Sequence, residues 1–505
     1  MWGFQQHRAV PTVLSVLFMG MGSLPATAMA QDDATAGTTA SAGSFIMGGY
    51  ARVYSQWNLS NTPETAQNDR GDPSMLRGAL LLDASARLGP FSLRAIGRVD
   101  REYETNYLKR LGDLGANGHE GPGKIRELYN HGDLREAYVS FSPARNLNLK
   151  VGKQQVVWGE SDFFHAMDLV HGFNSVWAPP TEESDETRKP LVLVNATLTV
   201  PSVEGSLQAI VRPGLDREQD IGNTPDIYGG RNAGIGHRGF DGRTIANADY
   251  HHPDGDIDKT TWGVRWAGTA GGLSYSLAYL KTLSPNFVVN SRFAPYQKAP
   301  TGAVGDLIYP KMDVLGATLN GYSSTIDAVL SAEVAYQRGV AYNAGTGALI
   351  GLNGIRKKDQ VRAMLRMDKN LNLTSLGASN PSLWSVQIFD TWIQNFNHSD
   401  DLVLIPTYGR AVKKHEAIIT NIFSLNYNNN NINPTLVLAY DMSNGGGFVV
   451  PYVDFSLGNN WRLRTEIDYY YHRRQGAPND AFRAPTTFGL AAHNNQFMLR
   501  LTRQF

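Results

Sequence analysis

Asp254, Asp256 and Asp258 alternate along the segment His251–Asp258 and could offer hard oxygen ligands to a calcium ion. Lys259 stands where an EF-hand loop needs glycine, and Arg265 where it needs the closing glutamate, so a solvated acidic turn is the competing reading. Gly118 to Lys124 has the spacing of a phosphate loop, but Ile125 replaces its Ser/Thr and no helical pattern follows. His415-Glu416 lacks a second histidine four residues on, and there is no G-x-S-x-G elbow. The 12 histidines are scattered, and with Cys 0 both disulfides and thiol chemistry are excluded. No catalytic set and no cofactor site emerges, and an enzyme is not expected.

Two other constellations are richer. Arg356, Lys358, Arg362 and Arg366 lie on one face of a single strand-like segment, Arg94 and Arg98 share a face earlier, and Arg462 and Arg464 form a third group. Asp83, Asp100, Glu333, Glu466 and Asp468 fall on matching faces and could pair with them. A ladder of ion pairs is one reading, and a selectivity track for an anionic or amphipathic solute is the other. The second constellation is the long segment 156–190. Its Trp158, Phe163, Phe164, Met167, Phe173 and Trp177 are too apolar to hang in water. Lys153, Glu160, Asp168 and Arg188 could anchor its fold through buried ion pairs.

The elements that must position these residues are strands. Leu80, Leu82, Ala84, Ala86 and Leu88 oppose Leu81, Asp83, Ser85 and Arg87. Ile467 and Tyr469 oppose Glu466 and Asp468 in the same way. That period of two suits a sheet with lipid on one face and a watery lumen on the other. Such segments start near residues 45, 76, 91, 133, 147, 191, 205, 260, 273, 309, 325, 356, 381, 415, 432, 447, 461 and 493. Short turns, such as Gly89-Pro90 and Gly458 to Asn460, alternate with long loops at 58–75, 103–132, 156–190, 214–259, 284–308, 339–355, 396–414 and 473–492. The stretches 369–380 and 443–446 depart from that alternation in length.

The expectation is an all-β chain forming one transmembrane antiparallel β-barrel. It has about eighteen strands, with sixteen the alternative count, and one loop folded into the lumen. A soluble β-sandwich would show the same alternation, but export features argue against it. Residues 1–30 read as a signal peptide: His7 and Arg8, an apolar run, then Ala28-Met29-Ala30. A polar leader follows over 31–44, and the barrel occupies 45–505. Phe497, Leu499, Leu501 and Phe505 share the apolar face of the last strand, and Phe505 reads as a barrel-closing terminus recognised by assembly machinery. Arg503 departs from that face and requires a position near the membrane interface. Balanced charge, Lys+Arg 46 against Asp+Glu 46, gives no electrostatic case for nucleic acid.

The run Leu134-Arg135-Glu136-Ala137-Tyr138, then Gly152-Lys153-Gln154, Val156 and Trp158-Gly159-Glu160, then Asp168-Leu169-Val170 and Arg188, resembles the outer-membrane family known as domain of unknown function 1302. That family's pattern continues toward Asn-Pro where this chain has His171-Gly172. The resemblance implies a protein of the Gram-negative outer membrane, in contact with lipid and lipopolysaccharide. It also implies partners: an inner-membrane exporter and a periplasmic lipid-carrier-like protein. The function expected is an outer-membrane channel or transporter for hydrophobic or amphipathic, lipid-like molecules. A general polar-solute porin is the alternative, and an outer-membrane barrel hydrolase the remote one.

Overall fold

The computed structural model describes residues 44–61, 67–114, 129–161, 164–175, 177–216, 221–224, 244–246, 260–291, 303–345, 352–379, 381–407, 410–472, 487, 488, 491 and 494–505. The signal peptide 1–30, the leader up to residue 43 and the calcium candidates Asp254, Asp256 and Asp258 lie outside these residues, as do Asp162 and Phe163.

Eighteen antiparallel strands close into one barrel. They are β1 (Phe45–Asn58), β2 (Pro73–Leu88), β3 (Phe91–Glu102), β4 (His131–Ala144), β5 (Leu147–Gln154), β6 (Leu191–Val200), β7 (Gly205–Arg212), β8 (Thr261–Ala270) and β9 (Leu273–Leu283). The second half comprises β10 (Lys311–Ser323), β11 (Ala328–Ala344), β12 (Ile355–Leu371), β13 (Ser382–Ile393), β14 (His415–Ser424), β15 (Ile432–Asp441), β16 (Gly447–Leu457), β17 (Trp461–Tyr471) and β18 (Gln496–Gln504). Each expected segment is a strand, and each strand pairs with its sequence neighbours. Closure comes from β1 and β18, in register from Tyr50 opposite Gln504 to Asn58 opposite Gln496. The backbones of Gly49 and Phe505 exchange two hydrogen bonds, at 3.0 and 3.1 Å. Closing the sheet leaves no unpaired edge for lipid to meet.

Alternation decides which side chains face out. Leu82, Val151, Val194, Leu277, Leu315, Leu330, Leu365 and Ile388 are exposed on the outer surface, where an apolar belt is what lipid requires. Trp262, Tyr336, Trp392, Tyr440 and Tyr469 ring the same surface near the long-loop ends, in the position of an interfacial aromatic girdle. Arg503 lies on that face opposite Trp461, one residue from the short turn 458–460, and its guanidinium stands 5.7 Å from the Trp461 ring. Its charge therefore sits at an interface, against an aromatic face.

The two length departures are also real features. The turn between β12 and β13 contains a short 3-10 segment, Thr374–Leu376, on the short-turn side. The connection 442–446 between β15 and β16 is a tight turn on the other side. The long connection after β3 contains a helix, α1 (Asn106–Leu114). Arg110 fastens it to Asp69 and Asp72.

Candidate functional site

The segment joining β5 to β6, residues 155–190, does not stand above the barrel. It crosses the lumen and touches the wall in several sectors. Near its start Trp158 is 1% exposed and donates its indole N–H to Gln208 of β7 at 2.8 Å. Val156, Trp158, Met167, Leu169 and Val170 pack with Leu193, Ile210, Leu280 and Val314 from the inner faces of β6 to β10. Two glycines make room for them. A Cβ on Gly263 would stand 2.7 Å from the Trp158 ring, and one on Gly316 would stand 1.7 Å from the Met167 sulfur. The wall is notched where the loop's largest side chains press on it.

The loop's second contact uses a carboxylate of the wall. Glu333 of β11 accepts hydrogen bonds from the backbone N–H groups of Glu160 and, at 3.3 Å, Met167. Arg366 of β12 donates to the Glu160 carbonyl at 3.0 Å. Phe164 then reaches β13, where its ring meets Phe389 edge-on at 5.4 Å, and it meets Phe488 at 6.4 Å. Trp177 reaches the opposite sector and packs with Tyr54, Met75 and Met498. Arg98 and Arg77 lie over its ring at 4.4 and 5.1 Å.

The charged part of the site is the acidic run that follows Trp177. Glu182 is paired with Arg500 of β18 at 2.6 Å and Arg52 of β1 at 3.5 Å, and accepts from the Tyr54 hydroxyl at 2.9 Å. Glu186 pairs with Arg98 of β3 and with Arg52 at 3.4 Å, and accepts from the Tyr50 hydroxyl at 2.7 Å. Burial would raise the Glu182 carboxyl, but Arg500, Arg52 and Tyr54 hold it below the usual carboxylate range. Thr181 donates to Glu466 of β17. Short helix α2 (Ser184–Thr187) carries Glu186, and Glu182 lies just before its N-cap residue, Glu183. A buried carboxylate is tolerable only when paired and hydrogen-bonded in this way.

Inside the loop, Arg188 pairs with Asp168 at 2.6 Å, and both side chains are buried. Where the family pattern has Asn-Pro, His171 bridges the two limbs of the loop. Its Nε2 accepts the Val156 N–H at 2.9 Å, and its Nδ1 lies 2.9 Å from the Lys189 carbonyl, which requires the proton on Nδ1. Burial lowers its pKa to about 4.

Of the residues singled out for the loop, Trp158, Glu160, Phe164, Asp168, Trp177 and Arg188 therefore come together in the lumen. Lys153 does not. In the ladder it stands opposite Ala137 and Val192, on the face shared by the exposed Val151 and Val194, and it pairs with Asp133 at 3.1 Å. The charged track is divided too. Arg94 pairs with Asp83 at 2.7 Å, Arg98 with Asp100 at 2.8 Å, and Arg464 with Asp454 at 2.6 Å. Arg366 pairs with Asp368 at 2.7 Å, and Arg362 stands beside it on the inner face. Arg462 sits at the short-turn rim, bonded to the Gly458 carbonyl at 3.2 Å. Arg356 and Lys358 lie past the end of β13, whose pairing with β12 begins at Gln360. Lys358 is tied there to Asp400 at 2.5 Å. Tyr50, Arg52, Tyr54, Glu182, Glu186 and Arg500 were missed as site residues. The usable signal was an acidic run on a loop beside inward-facing arginines of the strands. Among the described residues no cluster of side chains suited to a metal ion occurs.

Compared with solved structures, the chain is similar to OccAB3 of Acinetobacter baumannii, with 8% identity, a TM-score of 0.49, and coverage of 91% of this chain and 99% of that one. It is also similar to OccAB1 of the same organism, at 10% identity, a TM-score of 0.48, and coverage of 91% and 96%. An anion-selective porin from Comamonas acidovorans has 12% identity, a TM-score of 0.37, and coverage of 92% and 100%. No curated protein sequence matches the chain. The family described as protein of unknown function (DUF1302) matches residues 11–505, and the chain belongs to that family.

Proposed function

We propose that this barrel is a channel of the bacterial outer membrane, narrowed by the loop 155–190, that admits small polar and charged solutes without covalent chemistry. The observation that carries this reading is the orientation of the loop. Trp158, Met167 and Trp177 turn into the wall and are buried there, while Glu160 and His165 remain partly exposed. A constriction built this way presents polar edges to a passing solute and keeps its aromatics for fastening. Phe505, ending the closing strand, would be the signal to the assembly machinery, and the outer belt would meet lipid and lipopolysaccharide.

A second reading keeps the lipid-like solute, with an exporter and a periplasmic carrier as partners. One observation favours it: the inner faces of β15 and β16 carry an apolar patch, Val437, Ala439, Phe448 and Val450, packed with Phe488, and Phe164 lies against it. If Phe164 and Phe488 swung aside, that wall would suit an acyl chain. Flux into proteoliposomes holding the refolded chain separates the two. The channel reading expects entry of sugars and amino acids at rates well above protein-free vesicles. Entry of a fluorescent fatty acid alone, with polar solutes excluded, would replace it by the second.

A further inference from the structure

On the short-turn side of the loop the lumen holds a cavity of about 530 Å³. Its wall is rich in hydroxyls from the inner faces of β6 to β10, among them Thr197, Thr199, Ser274 and Thr318. Besides Glu204, whose carboxylate at the turn between β6 and β7 accepts the Thr269 hydroxyl at 3.0 Å, two ionic groups line it: Glu160, on the loop, and Arg265, on β8. Among the described residues no ionic partner is found for either side chain. The nearest acceptor to Arg265 is the Val157 carbonyl at 3.5 Å, a marginal hydrogen bond, and its Nε is buried with none. The Glu160 main chain is occupied, since its N–H is held by Glu333 and its carbonyl by Arg366, but the carboxylate is not. Elsewhere in the lumen the loop's acids are matched with arginines, as Glu182 and Glu186 show. Here an acid and a base share one cavity and stay apart.

We infer that this cavity is a binding site for a small zwitterion, a solute of the amino-acid class. Its carboxylate would meet Arg265, its ammonium would meet Glu160, and a short polar side chain would meet the hydroxyls. A lone anion would satisfy the guanidinium and be repelled by Glu160, and a lone cation would meet the reverse. Only a molecule carrying both charges matches both groups, and each charge-assisted bond is strong because the site is partly shielded from water. The inference rests on the channel reading, whose own solutes it narrows.

The test uses three molecules of nearly equal size: L-serine, glycerate and ethanolamine. Binding to the full refolded chain in detergent micelles is followed by saturation-transfer NMR, which needs no conductance and so stands apart from the channel measurement. L-serine is expected to bind about tenfold tighter than either singly charged molecule, the worth of one added charge-assisted bond. Glu160→Gln should close the gap between serine and glycerate, and Arg265→Gln the gap between serine and ethanolamine. The Glu160 variant keeps the main-chain bonds that hold the loop, so its effect reads the carboxylate alone. Equal binding of all three by the native chain, or an unchanged ranking in the Glu160 variant, would overturn the proposal. Serine binding by a chain that carries no current would uphold the site and remove the channel.

Discussion

Glu182, on the loop, and Arg500, on the last strand, are 318 positions apart and meet at 2.6 Å with the carboxylate 1% exposed. The closing strand of the barrel is thereby fastened to the segment that narrows its lumen. Replacing Glu182 with Gln would leave Arg500 and Arg52 facing each other without an acid between them. Breaking one partner of a buried pair costs about 3–5 kcal/mol, enough to release the loop from this wall. Cleavage of the loop by an added protease should speed up accordingly, and the double variant E182Q/R500Q should recover part of the protection.

Trp158 and Met167 seat in the notches at Gly263 and Gly316. Trp158→Ala removes a fully buried aromatic and should weaken loop docking by about 3–5 kcal/mol. Gly316→Val, which fills a notch instead, should displace Met167 and give a similar increase in current noise. Single-channel recordings check both, and unaltered traces in the two variants would show that this packing does not hold the loop.

His171 gives the loop a pH dependence with a definite sign. Its neutral form is required by the Val156 and Lys189 bonds, and burial lowers its pKa to about 4, against about 6.5 for a histidine in water. The stabilising contribution is therefore complete above about pH 6.5 and is lost as pH falls toward 4, by roughly 3 kcal/mol in all. Asp168 opposes this by favouring the charged ring, and Arg188 reinforces it. Open-channel noise should rise between pH 6 and 4, and His171→Gln should flatten that rise.

Lys153 supplies a contrasting expectation. Because it lies on the outer face and pairs with Asp133, Lys153→Ala should leave conductance and ion selectivity unchanged. A selectivity change would return it to the lumen.

The barrel was legible because its signals are local. A strand needs only its own period of two, and a turn only its own Gly, Pro or Asn, so the segments near 309 and 325 could be found without knowing that Val314 faces Gln337. The loop was half legible. The apolarity of Trp158, Phe164 and Trp177 already demanded burial. The acids that fasten it, Glu182 and Glu186, carry no local signal of burial, since their partners Arg52, Arg98 and Arg500 are brought to them by barrel closure. Lys153 was misplaced for a smaller reason. A one-residue choice of face reverses every assignment on a strand, and nothing at the end of β5 fixes that choice locally. The helix α1 was missed because Asn106 to Leu114 depends on its packing against β2, with Arg110 reaching Asp72 before the strand.

The account stands on the loop lying across the lumen, held by its acids. Single-channel conductance of the refolded native chain, compared with that of E182Q/E186Q, tests this most directly. A small, steady native conductance that becomes larger and flickers in the double variant is the predicted result. A large ohmic conductance identical in both proteins would contradict it, because an open pore has no constriction for Glu182 and Glu186 to hold.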